Sequence, residues 1–250
     1  MNGNFITLTL AGVFALSAAV EAAQLPAKLV MPGDKSWEGT IIARDGEWIE
    51  FQTGTSARAI RIGAKTVKEL VFEVKIDSDK LNEMNRNREY ERIISSLDRV
   101  LAPFAEFGDI PSNLTVYKAL LMELRYKTGD YDKSMAYADQ IIMDDRDPAL
   151  QDKSRVFKAL SLIGAGRVDE AEKLMAEYGW SEGLEDDASP EKLYITAKLL
   201  ALKKQYADAM ELVAKIIAFN SQDPDWMQPA ELLCAEIYTE LGAQNPMMYD

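Results

Sequence analysis

The side chains best suited to chemistry in this chain are its carboxylates. Asp144, Asp145 and Asp147 precede Pro148, while Glu182, Glu185, Asp186 and Asp187 precede Pro190, and Asp77-Ser78-Asp79 forms a third acidic run. Such clusters raise two chemistries, calcium binding and hydrolysis by paired carboxylates. A calcium loop needs a glycine at its sharp turn and a bidentate acid at its end. The first two segments lack that order, and the third has Asn82 where the glycine belongs and Arg88 where the glutamate belongs. All three are read as solvated connectors. The chain has no histidine, which removes Ser-His-Asp and Cys-His nucleophile pairs and His-containing zinc sites. Its one cysteine, Cys234, permits no internal disulfide and sits among Leu232, Leu233 and Ala235, where it reads as a small hydrophobe. No glycine-rich phosphate loop is present. No catalytic, cofactor-binding or metal residue is therefore assigned. Asn113-Leu114-Thr115 has the form of a glycosylation acceptor, but Ser112 and Asn113 suit the cap of a following helix equally well, and the cap is the reading adopted.

The composition sets the class. With 48% apolar and 28% charged residues over 250 positions the chain is globular and long enough to bury a core. The net charge of −13 argues against broad electrostatic capture of nucleic acid. That charge is unevenly placed. Between Asp34 and Lys80 nine acids face eight bases, whereas from Leu81 onward thirty-one acids face nineteen bases. Acidic helices of that kind can offer a negative concave surface to a basic segment.

Residues 1–23 read as an export signal. Phe5 to Val20 carry no charge, and cleavage after Ala22 would place Val20 and Ala22 at the −3 and −1 positions. The Met1-Asn2-Gly3-Asn4 start lacks the usual basic residue, which keeps an uncleaved anchor and a buried terminal helix as alternatives. After signal removal no second long apolar segment remains to span a membrane. A periplasmic or envelope-associated location follows as the expectation.

A connector containing Pro26, Pro32 and Gly33 leads to a strand-rich module at 34–76. Trp37 to Arg44 and Glu47 to Gln52 flank Asp45-Gly46, the strongest short hairpin signal, for which a type I′ turn is expected. Later runs are Ala57 to Ile62 and Val67 to Val74. Four or five short strands bury their apolar faces economically by curling into a barrel. Gly39 to Ile42, Asp45-Gly46, Ile60 to Ile62 and Val67 to Phe72 together resemble the small SH3-like or Sm-like barrels of exported bacterial proteins. Cytosolic members of that group bind RNA, for which Arg44, Arg58, Arg61, Lys65 and Lys68 with Trp37, Trp48 and Phe51 are the candidates. The near-neutral balance instead reads as a solvated strand face over an aromatic core.

From about 85 to 250 the period is helical and the sequence repeats. Gly129-Asp130-Tyr131-Asp132-Lys133-Ser134 recurs as Gly166-Arg167-Val168-Asp169-Glu170-Ala171 and as Lys204-Gln205-Tyr206-Ala207-Asp208-Ala209, and the same interval reaches Gly242. Recurrences at this spacing indicate stacked helical hairpins. The units run about 113–148, 151–184, 189–222 and an incomplete 226–250. Pro148, Pro190 and Pro224 fall in the connectors. An earlier helix, Arg88 to Leu101, ends near Pro103. These G-D-Y-x-x-S/A units resemble tetratricopeptide repeats. Ala159 and Ala197 match the family's small position in the first helix, where Met122 departs, and its early Trp is missing.

The resemblance implies a groove lined by the first helix of each hairpin that binds a protein or peptide. The candidate positions carried across are Val116, Ala119, Glu123, Tyr126 and Lys127, then Lys153, Val156 and Leu160, then Glu191, Tyr194 and Lys198. The set lacks the ordered Lys and Asn of the carboxylate-clamp subclass. The last helix, roughly Met227 to Leu241, lacks a partner and is expected to expose Leu232, Leu233, Ile237 and Leu241 for a homo-oligomer or partner contact. The expected fold is α+β, mostly α. The expected function is a non-enzymatic interaction scaffold with a protein or peptide partner, no nucleic acid and no cofactor. A histidine-free carboxylate hydrolase and an RNA-binding barrel are the alternatives.

Overall fold

The structure, a computed structural model, describes residues 24–244 except 55, 57, 145, 181, 182, 185–187 and 221. The proposed signal, four acids of the second cluster, Asp145 and residues 245–250 lie outside the described residues. The fold is α+β and mostly α: a five-stranded antiparallel sheet, then nine helices among the described residues.

The strands are β1 (Leu25–Val30), β2 (Ser36–Asp45), β3 (Trp48–Thr53), β4 (Ile60–Gly63) and β5 (Glu69–Phe72), in the order β4-β3-β2-β1-β5. The sheet therefore starts at Leu25, not at residue 34. Leu25, Ala27 and Leu29 are buried and alternate with Pro26, Lys28 and Val30, so the supposed connector is a central strand paired with both β2 and β5. Pro26 is tolerated because β5 pairs only from Ala27 onward, leaving the proline opposite Thr40 of β2 alone. No β4–β5 pairing closes the sheet among the described residues, so the expected barrel is observed as a sheet. The hairpin forms, but Asp45 pairs with Trp48 and only Gly46 of the two central residues has positive φ, the sign pattern of a type II′ turn. Of the aromatics read as core, Phe51 is fully buried, whereas Trp37 and Trp48 are 38% and 47% exposed. Arg61 lies over the Trp48 ring at 5.4 Å.

The helices are α1 (Ser78–Arg86), α2 (Tyr90–Leu101), α3 (Thr115–Lys127), α4 (Tyr131–Ile142), α5 (Pro148–Gly164), α6 (Val168–Glu177), α7 (Pro190–Leu202), α8 (Tyr206–Phe219) and α9 (Pro224–Gln244). The helical region thus begins before residue 85. The Asp77 carboxylate accepts from the Lys80 amide at 3.0 Å and caps α1, which gives the third acidic run a structural role. Asp147 caps α5 in the same way, with Pro148 at the first helical position. Pro148, Pro190 and Pro224 therefore start helices and do not lie between them.

One closing motif recurs at the tight turns. Asp130 N donates to Arg125 O at 2.8 Å, Arg167 N to Leu162 O at 2.9 Å, and Gln205 N to Leu200 O at 2.9 Å. This six-to-one bond is the Schellman arrangement, and it needs a left-handed residue just before the donor. Gly129 and Gly166 supply it, but the third turn uses Lys204 at φ +62°. Lys204 is exposed, so Lys204→Gly removes strain and no buried contact. We expect that substitution to raise stability by roughly 0.5–1 kcal/mol, measured as a higher denaturant midpoint, because the left-handed penalty exceeds the entropy cost of glycine. Ser134, Ala171 and Ala209 are fully buried at the next hairpin contact, as their small size demands.

The sheet is joined to the helices by polar bonds as well as by packing. Leu29, Phe51, Leu70 and Phe72 share a core with Phe107, Ile110 and Leu114. The outer edge of β5 is covered by 111–113, where Leu70 N donates to Pro111 O and Asn113 N to Leu70 O. The Asn113 side chain then accepts from Phe72 N at 2.9 Å and donates to Phe72 O at 3.0 Å. Asn113 is neither helix cap nor free acceptor for a glycan: its amide acts as an extra strand residue. Arg44 bonds Asp109 through both nitrogens, which holds that carboxyl below the usual carboxylate range. Arg146 joins Glu69 of β5 to Asp144, and Asp144 also accepts from Thr115. Asp144 belongs to a partly buried network at this junction and is not solvated.

Candidate functional site

The first helices of the hairpins pack side by side, α3 on α5, α5 on α7 and α7 on α9. Their shared face holds an open cavity of about 810 Å³. Its lining includes Glu123, Tyr126 and Lys127 from α3, Lys153, Val156 and Leu160 from α5, and Glu191 and Tyr194 from α7. These residues share one surface because the spacing 153, 156, 160 on α5 and the matching positions on α3 and α7 follow the helical repeat. Lys198 lies just beside this lining, with its ammonium 5.9 Å from the Tyr194 ring centre. Two sequence candidates fall elsewhere. Val116 is solvent-exposed at the start of α3, and Ala119 is buried against Met122, Ala138 and Ile141.

Four rings that sequence reasoning did not select complete the floor: Phe157, Tyr178, Trp180 and Trp226. Phe157 was legible as the neighbour of Val156 on an α5 stripe that also carries Lys153 and Leu160. Trp180 lies in the connector after α6, where no periodicity marks it. The rings are in mutual contact, Tyr126 with Phe157 at 5.6 Å, Tyr178 with Trp180 at 5.1 Å, and Tyr194 with Trp226 at 5.5 Å.

The charges are arranged around those rings. Glu123 pairs with Lys153 at 2.5 Å and Asp152 with Arg155 at 2.5 Å. Lys153, Arg155 and Lys127 also sit over the faces of Phe157, Tyr178 and Tyr90. Burial pushes the Tyr126 hydroxyl up to about 12, helped by Tyr131 and Glu236. Burial raises Tyr194 as well, helped by Tyr126 and Glu236. Both phenols therefore stay neutral donors across the physiological range. Because the folded value of Tyr126 lies above the ordinary value near 10, its stabilisation is whole below pH 10 and is lost as the pH rises from about 10 to about 12. We expect absorbance titration to show at least two tyrosines, Tyr126 and Tyr194, still protonated at pH 11 in the folded chain, and Tyr126→Phe to reduce the alkaline loss of stability.

The expected contact surface at the last helix is corrected. Leu233 and Ile237 are 3% and 1% exposed, in one core with Leu193, Val213 and Ile216, and Leu241 packs against the same core partly buried. Ala230, Leu233 and Ile237 form an inward stripe because α9 lies on both α7 and α8. The outward residues are Leu232 and Tyr238. In the sheet, Arg61, Lys65 and Lys68 each meet a carboxylate, Asp45, Glu47 and Asp34. Among the described residues no group of three or more His, Cys, Asp or Glu is placed to hold a metal ion, and no helix is long and apolar enough to cross a membrane. No family model, curated protein or solved structure matches this chain.

Proposed function

We propose that this chain is a non-catalytic interaction protein of the tetratricopeptide-like kind, which is exported and binds an extended segment of a partner protein in an envelope assembly. The observation that carries the reading is the aromatic groove crossing α3, α5, α7 and α9, lined at equivalent repeat positions. Three helix-to-helix steps of about 8–10 Å each make a track of at most about 30 Å. An extended chain advances about 3.3 Å per residue, so the track suits a segment of roughly eight residues better than a compact small molecule. The acids in the lining also favour binding over hydrolysis, because Glu123 and Asp152 are each held by a cation.

The test is position-specific photocrosslinking in the native cell. A photoreactive residue at Lys153 or Lys192 in the groove should give a discrete adduct with one partner, while the same group at Lys173, exposed on α6, should not. Equal labelling from all three positions, or none from the groove, would sink the proposal. The export part rests on residues 1–23. Cleavage after Ala22 would leave β1, which starts at Leu25, intact. Terminal sequencing of the mature protein is expected to begin at Ala23, and an unprocessed Met1 start would count against a cleaved signal.

A further inference from the structure

From Leu81 onward acids outnumber bases by thirty-one to nineteen, yet the groove reverses that balance. Five of those nineteen cations, Lys127, Lys153, Arg155, Lys192 and Lys198, line or flank it. Three of the thirty-one acids, Glu123, Asp152 and Glu191, line it among the described residues, and Glu236 of α9 flanks it close enough to act on Tyr126 and Tyr194. Two of the three are consumed, Glu123 by Lys153 and Asp152 by Arg155. Lys127, Lys192 and Lys198 form no ion pair among the described residues, and neither do Glu191 and Glu236. The neutral hydroxyls of Tyr126 and Tyr194 bond no protein group among the described residues and are not among its buried unpaired polar atoms, so they are open to solvent and to a ligand's acceptors. Burial keeps both hydroxyls protonated, with a smaller contribution from Glu236 on α9. The groove therefore presents apolar ring faces with three unpaired ammonium groups and two free phenols against two unpaired carboxylates, Glu191 and Glu236. The lining, with four cations and three acids, is not the strongly negative concave surface that the acidic helices suggested.

We propose that the groove selects a segment carrying a carboxylate beside an aromatic or long aliphatic side chain. This rests on the groove being a peptide site, as proposed above. The apolar side chain enters between Tyr126, Phe157, Tyr194 and Trp226, and the carboxylate meets Lys127 or Lys192 at the rim. A basic segment is disfavoured because the protein's own cations already cover the faces of Phe157, Tyr178 and Tyr194. Main-chain carbonyls of the segment supply the acceptors that the two tyrosines lack.

The experiment is selection of an unbiased linear peptide library, displayed on phage, against the full chain. Retained peptides are then synthesised and titrated by tryptophan fluorescence, which Trp180 and Trp226 report from the groove. Retained sequences should combine Asp or Glu with a nearby aromatic or long aliphatic residue. Their affinity should fall on the order of tenfold in the rim double variant Lys127→Glu with Lys192→Glu, and should weaken with salt. The ring-preserving variants Tyr126→Phe and Tyr194→Phe should weaken binding less and leave the charge preference in place. If retained peptides are basic or neutral but still lose binding in Tyr126→Ala, the charge inference is overturned and the groove reading survives. If acidic peptides bind the rim variant unchanged, the inference is overturned in the same way. If no peptide is retained in a groove-dependent manner, both fail together.

Discussion

Gly39→Ala is expected to destabilise the chain by about 3 kcal/mol or more, the typical upper end for overpacking a well-filled site. A methyl group at Gly39 would sit 2.1 Å from the Gln52 carbonyl oxygen and 2.9 Å from the Phe51 ring. Neither neighbour can yield cheaply. Gln52 is backbone of β3 held in register against β2, and Phe51 is fully buried in the sheet core. The added carbon therefore has to push β2 away from β3, which breaks the pairing on which β1 and β5 are also built. Gly54→Ala is the matched control. It lies in the turn just after β3, meets nothing within 4 Å and has no positive φ, so its effect should stay within about 0.5 kcal/mol. Circular dichroism during denaturant titration measures both. Equal midpoints for the two variants would show that β2 and β3 do not approach this closely in solution.

How far the sequence reveals this molecule depends on whether the controlling interaction is local. The tight turns at Gly129, Gly166 and Lys204 were legible because a helix end, a left-handed residue and the next helix start lie within a few residues. The groove positions on α3, α5 and α7 were legible for the same reason, since helical spacing carries each stripe to one face. Strand β1 was not. Pro26 reads as a breaker unless the partner strand is known to stop one residue later, and that is a fact about pairing with β5, more than forty residues away. Asn113 was misread likewise, because its local options were a cap and a sequon, while its actual partner is the end of β5. Trp180 reaches the groove from the connector after α6 and Trp226 from the last helix, which only tertiary packing can bring there, for Trp226 that of α9 on α7 and α8.

The same distinction decides the second large effect, at α9. Read locally, Leu232, Leu233, Ile237 and Leu241 form an apolar run on α9 to which no neighbour can be assigned. Packing supplies two neighbours, α7 and α8, and these bury Leu233 and Ile237. Ile237→Ala is therefore expected to cost about 3 kcal/mol, within the usual 2–5 for truncating a fully buried aliphatic side chain. Leu232→Ala, five residues earlier on the opposite face and 66% exposed, should change stability by about 0.5 kcal/mol or less. Loss of α9 packing should also weaken the groove, because Trp226 and Pro229 on the same helix form its far wall. A variant at Ile237 should then lower both the denaturant midpoint and peptide affinity, whereas the rim variants at Lys127 and Lys192 should lower affinity alone. If Ile237→Ala leaves stability unchanged and shifts sedimentation from dimer to monomer instead, the residue is an intermolecular contact and the buried assignment is wrong.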